Sequence, residues 1–466
     1  MSAATERPGG FLFARYLSGF DREGRKRCSC GQVHELGTRE ILVGDGVLAA
    51  IPERLMREHG RDTVVWVLSD ENTEAAAGAA LKRELRSAGG LLMAEEVLRG
   101  SPKPECTPEL VAALTVRARA ASAGLILSVG GGTMSDLGKS VSRGLGLPNW
   151  GLMTAPSMDA HTSGTANLKT PSGAVTHPAS PSRRVFCDPA VLQKAPEELF
   201  LAGLGDQVAK FLGYLDWRLG AWVFGETFCP ETAETSLQSA RMTMQALREP
   251  ALAPGELRLR LADGLLTSGL CMQSLRQSRP AASAEHTVAH LWEIAHVARE
   301  PRLALHGLLV GAAAALVYRA YRAFFALLPE LSLDVTSRVE ELGREPSWET
   351  RLDEEIRPFR AVIEAQAVGR PSVAKTCRAS LTRFAECRGS LQELAEGLLD
   401  ELAEGLRLLG QRGYPFDLTG YGLTRSEILL PFRWVRLLRN RTSAFDLMHL
   451  LGVERRVYRV ALEGGS

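Results

Sequence analysis

The feature that most constrains the fold is a strand-like run that ends in three consecutive glycines. Leu125–Val129 is largely apolar and is followed at once by Gly130, Gly131 and Gly132, after which Thr133–Asp136 are predicted to begin a helix. Glycine lets the backbone approach an anion closely, and the start of the following helix offers N–H groups and the positive end of its dipole. The segment therefore predicts a nucleotide-phosphate turn, although a glycine cluster alone fits a tight turn without a ligand equally well.

Other segments in the first part of the chain have the same strand character. Thr63–Ser69 is rich in β-branched residues, and Trp150–Met153 and Arg184–Cys187 are two more candidate strands. Continuous hydrophobicity is typical of parallel strands that are covered on both faces, and alternation with helix-like segments predicts a doubly wound sheet. The first part of the chain is thus expected to form a Rossmann-like α/β domain with a parallel sheet.

The strand signals end at Cys187, and helical spacing dominates the rest of the chain. Asp188 followed by Pro189 predicts a helix N-cap and a proline at the first helical position. We place the domain boundary near residue 197, which gives an α/β nucleotide-binding domain over 1–197 and an all-helical metal-binding domain over 198–466. A buried helical stripe is predicted by leucines spaced three or four residues apart: Leu391, Leu394, Leu398, Leu402, Leu406 and Leu409.

Three other segments have a recognisable character. The apolar run Gly307–Tyr318 is shorter than the roughly 18 to 20 residues that span a bilayer, so it is predicted to be a buried helix. Arg338–Glu355 is rich in charge and contains Pro346, which predicts a solvated helix and loop. Pro171–Pro181, rich in proline and serine, is predicted to be a loop.

The composition excludes several classes of function. The 466 residues include 55 Lys plus Arg and 54 Asp plus Glu, a net charge of +1, so no overall field attracts the chain to nucleic acid or an anionic membrane. The eight cysteines are mostly scattered, which favours reduced thiols and a cytoplasmic location. Phe11–Phe13 is too brief an apolar stretch for a signal peptide, so we expect neither export nor membrane insertion.

Polar residues follow two of the predicted strands. Asp70 ends the first strand and could accept hydrogen bonds from an adenosine ribose, while a helix N-cap is an equally good interpretation. Thr154–Asp159 follows the strand Trp150–Met153 and adds hydroxyls and a carboxylate. Because the carboxyl ends of parallel strands meet at one edge of a sheet, these residues predict a ligand site there.

A second group of residues has the chemistry of a metal site. His286 and His290 are four residues apart and project from one helical face, a pair that by itself is more often structural. Asp206 follows Gly205 near the start of a predicted helix, and His306 opens the apolar run. Burial of these groups beside apolar sequence is costly unless they are paired or bound to metal. One carboxylate and two imidazoles, Asp206, His286 and His306, suit a divalent ion such as zinc.

A further cluster lies near the N-terminus, where Cys28, Cys30 and His34 occur within seven residues. It could be a second metal site or a redox site. Three ligands at such cramped spacing favour a structural or incidental role.

Together these motifs resemble those of the bacterial sn-glycerol-1-phosphate dehydrogenases, within the superfamily of glycerol dehydrogenase, iron-containing alcohol dehydrogenases and 3-dehydroquinate synthase. The resemblance extends over most of the chain, with the separate motifs in the family's order. The matching segments are Cys28–Gly31, Asp70–Thr73, Gly130–Thr133, Thr154–Asp159, Gly205–Asp206, Ser278–Ala281, Glu285–His286, His306–Gly307, Arg439–Thr442 and Phe445–Leu447.

The resemblance implies a dehydroquinate-synthase-like fold, an α/β domain that binds NAD(H) or NADP(H), and a helical domain that holds one divalent metal. It implies Asp206, His286 and His306 as metal ligands, and Asp159, Asp206 and His290 as substrate contacts. The implied cofactor contacts are Asp70, Gly130, Gly131, Gly132, Thr133, Met134, Thr154, Ala155, Pro156, Ser157 and Ser163.

The implied activity is hydride transfer between the nicotinamide and dihydroxyacetone phosphate, giving sn-glycerol 1-phosphate for phospholipid metabolism. The metal polarises the carbonyl as a Lewis acid, and His290 contacts the substrate oxygen or relays the proton. Asp70 disfavours NADP without excluding it. Zinc is the first choice of metal, with nickel or iron as alternatives, and a homodimer is expected only on general prevalence.

Three alternatives remain open. A dehydrogenase of a non-phosphorylated polyol such as glycerol would use the same metal and cofactor. A lyase like dehydroquinate synthase would need a cleft richer in lysine and arginine. A cofactor-binding regulatory protein without turnover is the weakest alternative, because the ligand set is intact.

Overall fold

Short β-branched and aliphatic runs form the central strands of the parallel sheet. The computed structural model describes residues 10–100, 104–170, 173–297, 304–344, 373–438 and 441–463. The strands in these ranges are β1 (Arg25–Arg27), β2 (Val33–Glu35), β3 (Glu40–Val43), β4 (Val64–Asp70), β5 (Leu92–Leu98), β6 (Ala123–Gly130), β7 (Asn149–Met153), β8 (Thr165–Thr170), β9 (Gly173–Pro178) and β10 (Arg184–Cys187).

The α-helices alternate with the strands at first and then follow one another. They are α1 (Leu12–Ser18), α2 (Ile51–His59), α3 (Glu71–Thr73), α4 (Ala79–Ser87), α5 (Pro108–Ala120), α6 (Gly132–Leu145), α7 (Pro189–Gln193), α8 (Glu197–Leu219), α9 (Pro230–Leu247), α10 (Pro254–Leu275), α11 (Ala284–Val297), α12 (His306–Leu327), α13 (Val335–Arg344), α14 (Val373–Gln411), α15 (Arg425–Trp434), α16 (Ala444–Leu451) and α17 (Glu454–Tyr458).

The chain divides into two compact units. The sheet unit consists of the described residues up to Thr170 together with Ala174–Gln207 and Glu234–Ser278. The helical unit consists mainly of Val208–Ala233 and the described residues from Arg279 onward. The fold class is therefore confirmed as an α/β part with a parallel sheet followed by a largely helical part. The boundary near residue 197 stays a prediction.

The sheet unit is built on six parallel strands in the order β3-β10-β7-β6-β4-β5. Successive residues of a strand point to opposite faces of a sheet, so each strand packs against helices on both sides. Val65 and Val67 contribute to one apolar cluster with residues of α2 and α4. Trp66 and Leu68 contribute to the opposite cluster with residues of α5 and α6. This burial on both faces explains the continuous hydrophobicity of the predicted strands.

The helical unit is organised around apolar helices. The segment His306–Glu330 is apolar and long enough to cross a membrane, but 67% of its most apolar window is buried inside the protein. That burial is typical of a core helix and agrees with the predicted buried helix at Gly307–Tyr318. In α14 the predicted leucine stripe is largely confirmed, because Leu391, Leu398, Leu402 and Leu409 are buried.

Local expectations were confirmed in one place and wrong in another. Asp188 caps α7 by accepting a hydrogen bond from the Ala190 N–H at 2.9 Å, with Pro189 at the first helical position. The prediction of a loop at Pro171–Pro181 was wrong, because this segment contains the strand β9. Strand β9 pairs with β8 in a separate two-stranded sheet. Thr176 in this strand supplies the β-branched character that the surrounding prolines and serines obscured. Of the predicted solvated segment 338–355, residues 345–355 lie outside the described ranges.

Candidate active site

The sheet unit has a topological switch point between β4 and β6. From β4 the chain adds β5 on one side and then crosses to β6, β7 and β10 on the other. Asp70 ends β4 and Gly130 ends the neighbouring β6, so both lie at the carboxyl edge of the sheet where the strand order reverses. Ligands of open α/β sheets bind in the crevice at this point.

The glycine-rich turn is close-packed at this edge. A Cβ atom on Gly130 would lie 2.5 Å from Cβ of Met134 and 3.3 Å from Cγ2 of Thr73. A larger residue would therefore push apart the two turns that end β4 and β6. Helix α6 begins at Gly132, so its N-terminal N–H groups lie at the turn. Met134 is 1% exposed and packs in the core, so a cofactor contact from it would use its backbone.

The loop after β7 lies beside the glycine turn. The Thr154 N–H donates to the Gly130 carbonyl at 3.1 Å. A Cβ atom on Gly131 would lie 3.5 Å from Oγ of Ser157. Ala155 and Pro156 lie between these two contacts. The structure thus brings the predicted cofactor segments 130–134 and 154–157 together within the sheet unit.

Asp70 caps a helix in the observed structure. Its carboxylate accepts a hydrogen bond from the Thr73 N–H at 2.8 Å, and the Thr73 hydroxyl accepts one from the Asp70 N–H at 2.9 Å. This reciprocal arrangement is a capping box. The N-cap interpretation is therefore confirmed, while the ribose contact stays a prediction.

Ser163 belongs to a buried network around Lys139. The Lys139 ammonium donates to Ser163 Oγ at 3.0 Å and to the Ala160 carbonyl at 2.6 Å. It also pairs with the Asp136 carboxylate at 2.9 Å, and its side chain is fully buried. This network ties α6 to the chain that follows the Thr154–Ser157 loop, so Ser163 supports the shape of the turn. Its predicted contact with the cofactor stays a prediction.

Asp159 and Asp206 are joined by a direct hydrogen bond in the sheet unit. The backbone N–H of Asp159 donates to Oδ2 of Asp206 at 3.0 Å. The Asp159 carboxylate accepts a hydrogen bond from the Ser268 hydroxyl at 2.9 Å. Gly203 allows α8, which carries Asp206, to lie against the Thr154–Asp159 segment. A Cβ atom on Gly203 would overlap the carbonyl oxygen of Pro156. Two residues predicted to contact substrate are thereby held in fixed positions by backbone geometry.

The helical unit brings three predicted histidines together. His286 and His290 lie on α11, and His306 begins α12. The ring centroids of His286 and His306 are 5.5 Å apart, and those of His290 and His306 are 5.0 Å apart. All three are largely buried, with side-chain exposures of 8%, 9% and 16%.

Each imidazole is oriented by a carboxylate. Nδ1 of His286 lies 2.8 Å from Glu285 Oε1, and Nδ1 of His290 lies 2.8 Å from Glu293 Oε2. Nδ1 of His306 lies 2.9 Å from the other carboxylate oxygen of Glu293. Because an ionised carboxylate only accepts hydrogen bonds, each Nδ1 carries a proton. In the neutral form of each imidazole, Nε2 then has the lone pair that can bind a metal.

The charge of Glu293 depends on its two histidine partners. Burial by itself would raise the pKa of the Glu293 carboxyl, but His306 and His290 together hold that pKa well below its usual range. An ionised carboxylate at this position accepts a hydrogen bond from each of the two imidazoles. Such outer carboxylates commonly orient histidines that bind metals through the opposite nitrogen.

The histidine cluster fits a divalent metal by its donor chemistry. Ligand atoms of His290, Glu293 and His306 lie within 4.8 Å of one another. Two ligand sets are compatible with this arrangement. Either Glu293 is itself a ligand, or it orients the imidazoles while their Nε2 atoms bind the ion; its two hydrogen bonds from Nδ1 atoms favour the second.

Sequence reasoning missed the orienting roles of Glu285 and Glu293. Glu293 follows His290 by three residues, a spacing that places both side chains on one face of α11. That spacing could have predicted the hydrogen bond between Glu293 and His290 from the sequence. The pairing of Glu293 with His306 had no signal in the sequence, because it depends on the packing of α11 against α12.

Comparison with known proteins identifies the family. The model of the iron-containing alcohol dehydrogenase family matches residues 42–196. A glycerol-1-phosphate dehydrogenase of the NAD(P)+ type from Geobacillus stearothermophilus is 29% identical over 344 residues, which are 73% of this chain and 83% of the relative. The enzyme of that name from Bacillus velezensis is 30% identical over 317 residues, 66% of this chain and 75% of the relative. The chain belongs to the glycerol-1-phosphate dehydrogenase family.

Solved structures support the fold of this family. An NADH-dependent butanol dehydrogenase from Thermotoga maritima matches with a TM-score of 0.56 at 16% identity, covering 92% of this chain and 98% of that chain. An alcohol dehydrogenase from Oenococcus oeni matches with a TM-score of 0.57 at 13% identity, covering 90% and 98%. At these identities the likeness shows the fold alone, and this fold agrees with the predicted one.

Proposed function

We propose that this protein is an NAD(P)-dependent dehydrogenase that interconverts dihydroxyacetone phosphate and sn-glycerol 1-phosphate. The observation that carries the proposal is family membership. Curated relatives from bacteria and from the archaeon Metallosphaera sedula are all named glycerol-1-phosphate dehydrogenase of the NAD(P)+ type. The glycine turn at the switch point supports a cofactor site, and the oriented histidines support a metal site.

The cofactor is assigned to the carboxyl edge of the sheet. Gly130–Met134 would contact the pyrophosphate through backbone N–H groups, and Thr154–Ser157 would line the crevice beside them. Asp70 would accept a hydrogen bond from a ribose hydroxyl with the carboxylate oxygen that does not cap α3. This role favours NAD(H) over NADP(H), because a carboxylate repels a 2′-phosphate.

The metal is assigned to Asp206, His286 and His306. The oriented imidazoles support the two histidines, and Asp206 is included because of the family resemblance. When bound, a divalent ion supplies Lewis acidity that stabilises negative charge on the substrate carbonyl oxygen. Mixed carboxylate and imidazole donors suit zinc first, with nickel and iron as alternatives.

His290 is assigned to the substrate. Its Nδ1–H is held by Glu293, so its Nε2 is the nitrogen that can accept a proton or hydrogen-bond a substrate oxygen. Asp159 is held by Ser268 and by its backbone bond to Asp206, so it presents a fixed carboxylate to the substrate hydroxyls. These two residues orient the substrate and handle the proton that accompanies hydride transfer.

The proposal is tested by assaying the purified protein with dihydroxyacetone phosphate and with dihydroxyacetone, each with NADH and NADPH. We expect oxidation of the reduced cofactor with the phosphorylated ketone and loss of that activity after treatment with a chelator. Turnover of dihydroxyacetone alone would assign a polyol dehydrogenase instead. Inactivity toward both ketones in metal-loaded protein would overturn the dehydrogenase proposal.

The cellular location and oligomeric state belong to the same proposal. A cytoplasmic enzyme suits a reaction on a soluble phosphorylated substrate, and a homodimer is the commonest symmetric state. Fractionation of cells and light scattering of the purified protein test these two assignments.

A further inference from the structure

A hairpin near the N-terminus places three metal-ligating side chains together. Strands β1 and β2 pair in register, with Lys26 opposite His34. In the turn between them, the Cys28 N–H donates to the Gln32 carbonyl and the Gly31 N–H donates to the Cys28 carbonyl, both at 3.0 Å. Gly31 has φ +85°, a left-handed conformation that glycine adopts without strain. This tight turn directs Cys28 and Cys30 to the region of His34.

The three ligand atoms lie at distances that suit a metal. The sulfur atoms of Cys28 and Cys30 and a ring nitrogen of His34 lie within 4.8 Å of one another. Sγ of Cys30 is 3.3 Å from Nε2 of His34. In tetrahedral zinc coordination the edge between sulfur and nitrogen is about 3.6 Å, and that between two sulfurs is about 3.8 Å. The distance between Cys30 and His34 is therefore close to a tetrahedral edge, and Cys28 lies within 4.8 Å of both.

His34 also has the outer hydrogen bond that metal-binding histidines use. Its Nδ1 lies 3.3 Å from the carbonyl oxygen of Ser274, in the last turn of α10. A carbonyl oxygen only accepts, so Nδ1 carries a proton, and Nε2, on the side of Cys30, is the nitrogen that can bind a metal. Histidine ligands commonly donate their other N–H to a carboxylate or a backbone carbonyl. His34 itself is 2% exposed, so its ring is held in this orientation.

We propose that Cys28, Cys30 and His34 bind a zinc ion with a structural role, in the sheet unit and apart from the metal assigned to catalysis. Two thiolates and one imidazole favour zinc over magnesium and calcium, which prefer oxygen ligands. The fourth ligand comes from outside the hairpin.

The ion would fix the hairpin to the sheet unit. Strands of three residues form a hairpin that is marginal by itself in water. The bond from His34 to Ser274 links the hairpin to the end of α10, and zinc would add Cys28 and Cys30 to that link. Loss of the ion would therefore lower the stability of this region more than it lowers turnover.

The test measures metal in the full-length chain after removal of any affinity tag. Cys28→Ser, Cys30→Ser and His34→Ala are each expected to lose about one equivalent of zinc per chain. Cys387→Ser is the matched control, because Cys387 is a partly exposed thiol on α14. Serine substitution of each remaining cysteine then shows whether the fourth ligand is a thiolate: Cys106, Cys187, Cys229, Cys271 and Cys377.

Cobalt substitution separates this site from the catalytic one. Sulfur bound to Co²⁺ gives a thiolate charge-transfer absorption, and the ligands proposed for catalysis include no sulfur. The band should appear in the unmodified protein and in His286→Ala, and disappear in Cys28→Ser. Unchanged zinc content in the Cys28 and Cys30 variants, absence of the band, or a Cys28–Cys30 disulfide in freshly purified protein would overturn the proposal. A failure of the dehydrogenase assay would leave these readouts unaffected.

Discussion

The carboxylate of Glu293 accepts a hydrogen bond from Nδ1 of His306 at 2.9 Å, across two helices of the helical unit. Its other oxygen accepts a hydrogen bond from Nδ1 of His290 at 2.8 Å. One buried carboxylate therefore fixes the tautomer and the ring orientation of two histidines. Several properties of the candidate active site follow from this arrangement.

Replacing Glu293 with glutamine should weaken the site without removing a proposed ligand. The two Nδ1 atoms contact different oxygens of Glu293, and in glutamine an NH2 group, which only donates, replaces one of those oxygens. Loss of an outer partner of this kind typically costs roughly 10- to 100-fold in metal affinity or activity. Metal content and kcat measure the effect, with Glu393→Gln on the exposed side of α14 as the control. Equal activity of the two variants would show that Glu293 does not orient the histidines.

Alanine variants of the three histidines should divide into two classes. His286→Ala and His306→Ala are expected to lose bound metal and activity together, because both supply proposed ligands. His290→Ala should retain the metal while kcat falls by roughly 10²- to 10⁴-fold, the usual contribution of a group that transfers a proton. Metal analysis alongside kinetics separates the classes. Metal loss in His290→Ala with retention in His286→Ala would instead assign the ion to His290, Glu293 and His306.

Gly203 should be intolerant of even a methyl group. A Cβ atom there would overlap the backbone carbonyl of Pro156, which cannot move as a flexible side chain can. Gly203→Ala is expected to lower the free energy of unfolding by about 1 to 3 kcal/mol and to displace Asp206 from Asp159. Denaturant unfolding measures the change.

Gly397→Ala is the matched control for this substitution. Gly397 also lies within a helix, and a Cβ atom there would meet nothing within 4 Å. Helix propensity then predicts a gain of up to about 1 kcal/mol. A similar gain in Gly203→Ala would contradict the close approach of α8 to the Thr154–Ser157 loop.

His161 should contribute to acid sensitivity. Burial, with a smaller contribution from Lys139, lowers the pKa of His161 to about 3 from its ordinary value of 6.5. The unfolded chain therefore binds a proton that the folded chain does not. The contribution of the neutral His161 to the free energy of unfolding is complete above pH 6.5. It decreases by roughly 1.4 kcal/mol per pH unit as the pH falls from 6.5 toward 3.

The apolar variant His161→Phe provides the comparison. Its free energy of unfolding should depend less steeply on pH between 6.5 and 4 than that of the unmodified protein, as measured by urea unfolding at a series of pH values. Parallel pH profiles would show that His161 titrates similarly in the folded and unfolded states.

The sequence by itself determined the central strands of the sheet. The predicted strands Thr63–Ser69, Leu125–Val129, Trp150–Met153 and Arg184–Cys187 all coincide with strands of the sheet, because burial on both faces requires continuous apolar residues. The glycine-rich turn was also predicted from the sequence, because only glycine lets the backbone of this turn approach its neighbours closely.

The tertiary structure decided which strands, helices and side chains from distant parts of the chain lie next to each other. The order of the strands places Asp70 beside Gly130 at the switch point, and nothing in either segment encodes that neighbour. The edge strand β5 has a mixed burial pattern, so periodicity gave no clear signal for it. Glu293 meets His306 only because α11 packs against α12. Local sequence encodes the burial and backbone conformation of each segment, whereas contacts between distant side chains arise only when packed elements bring them together.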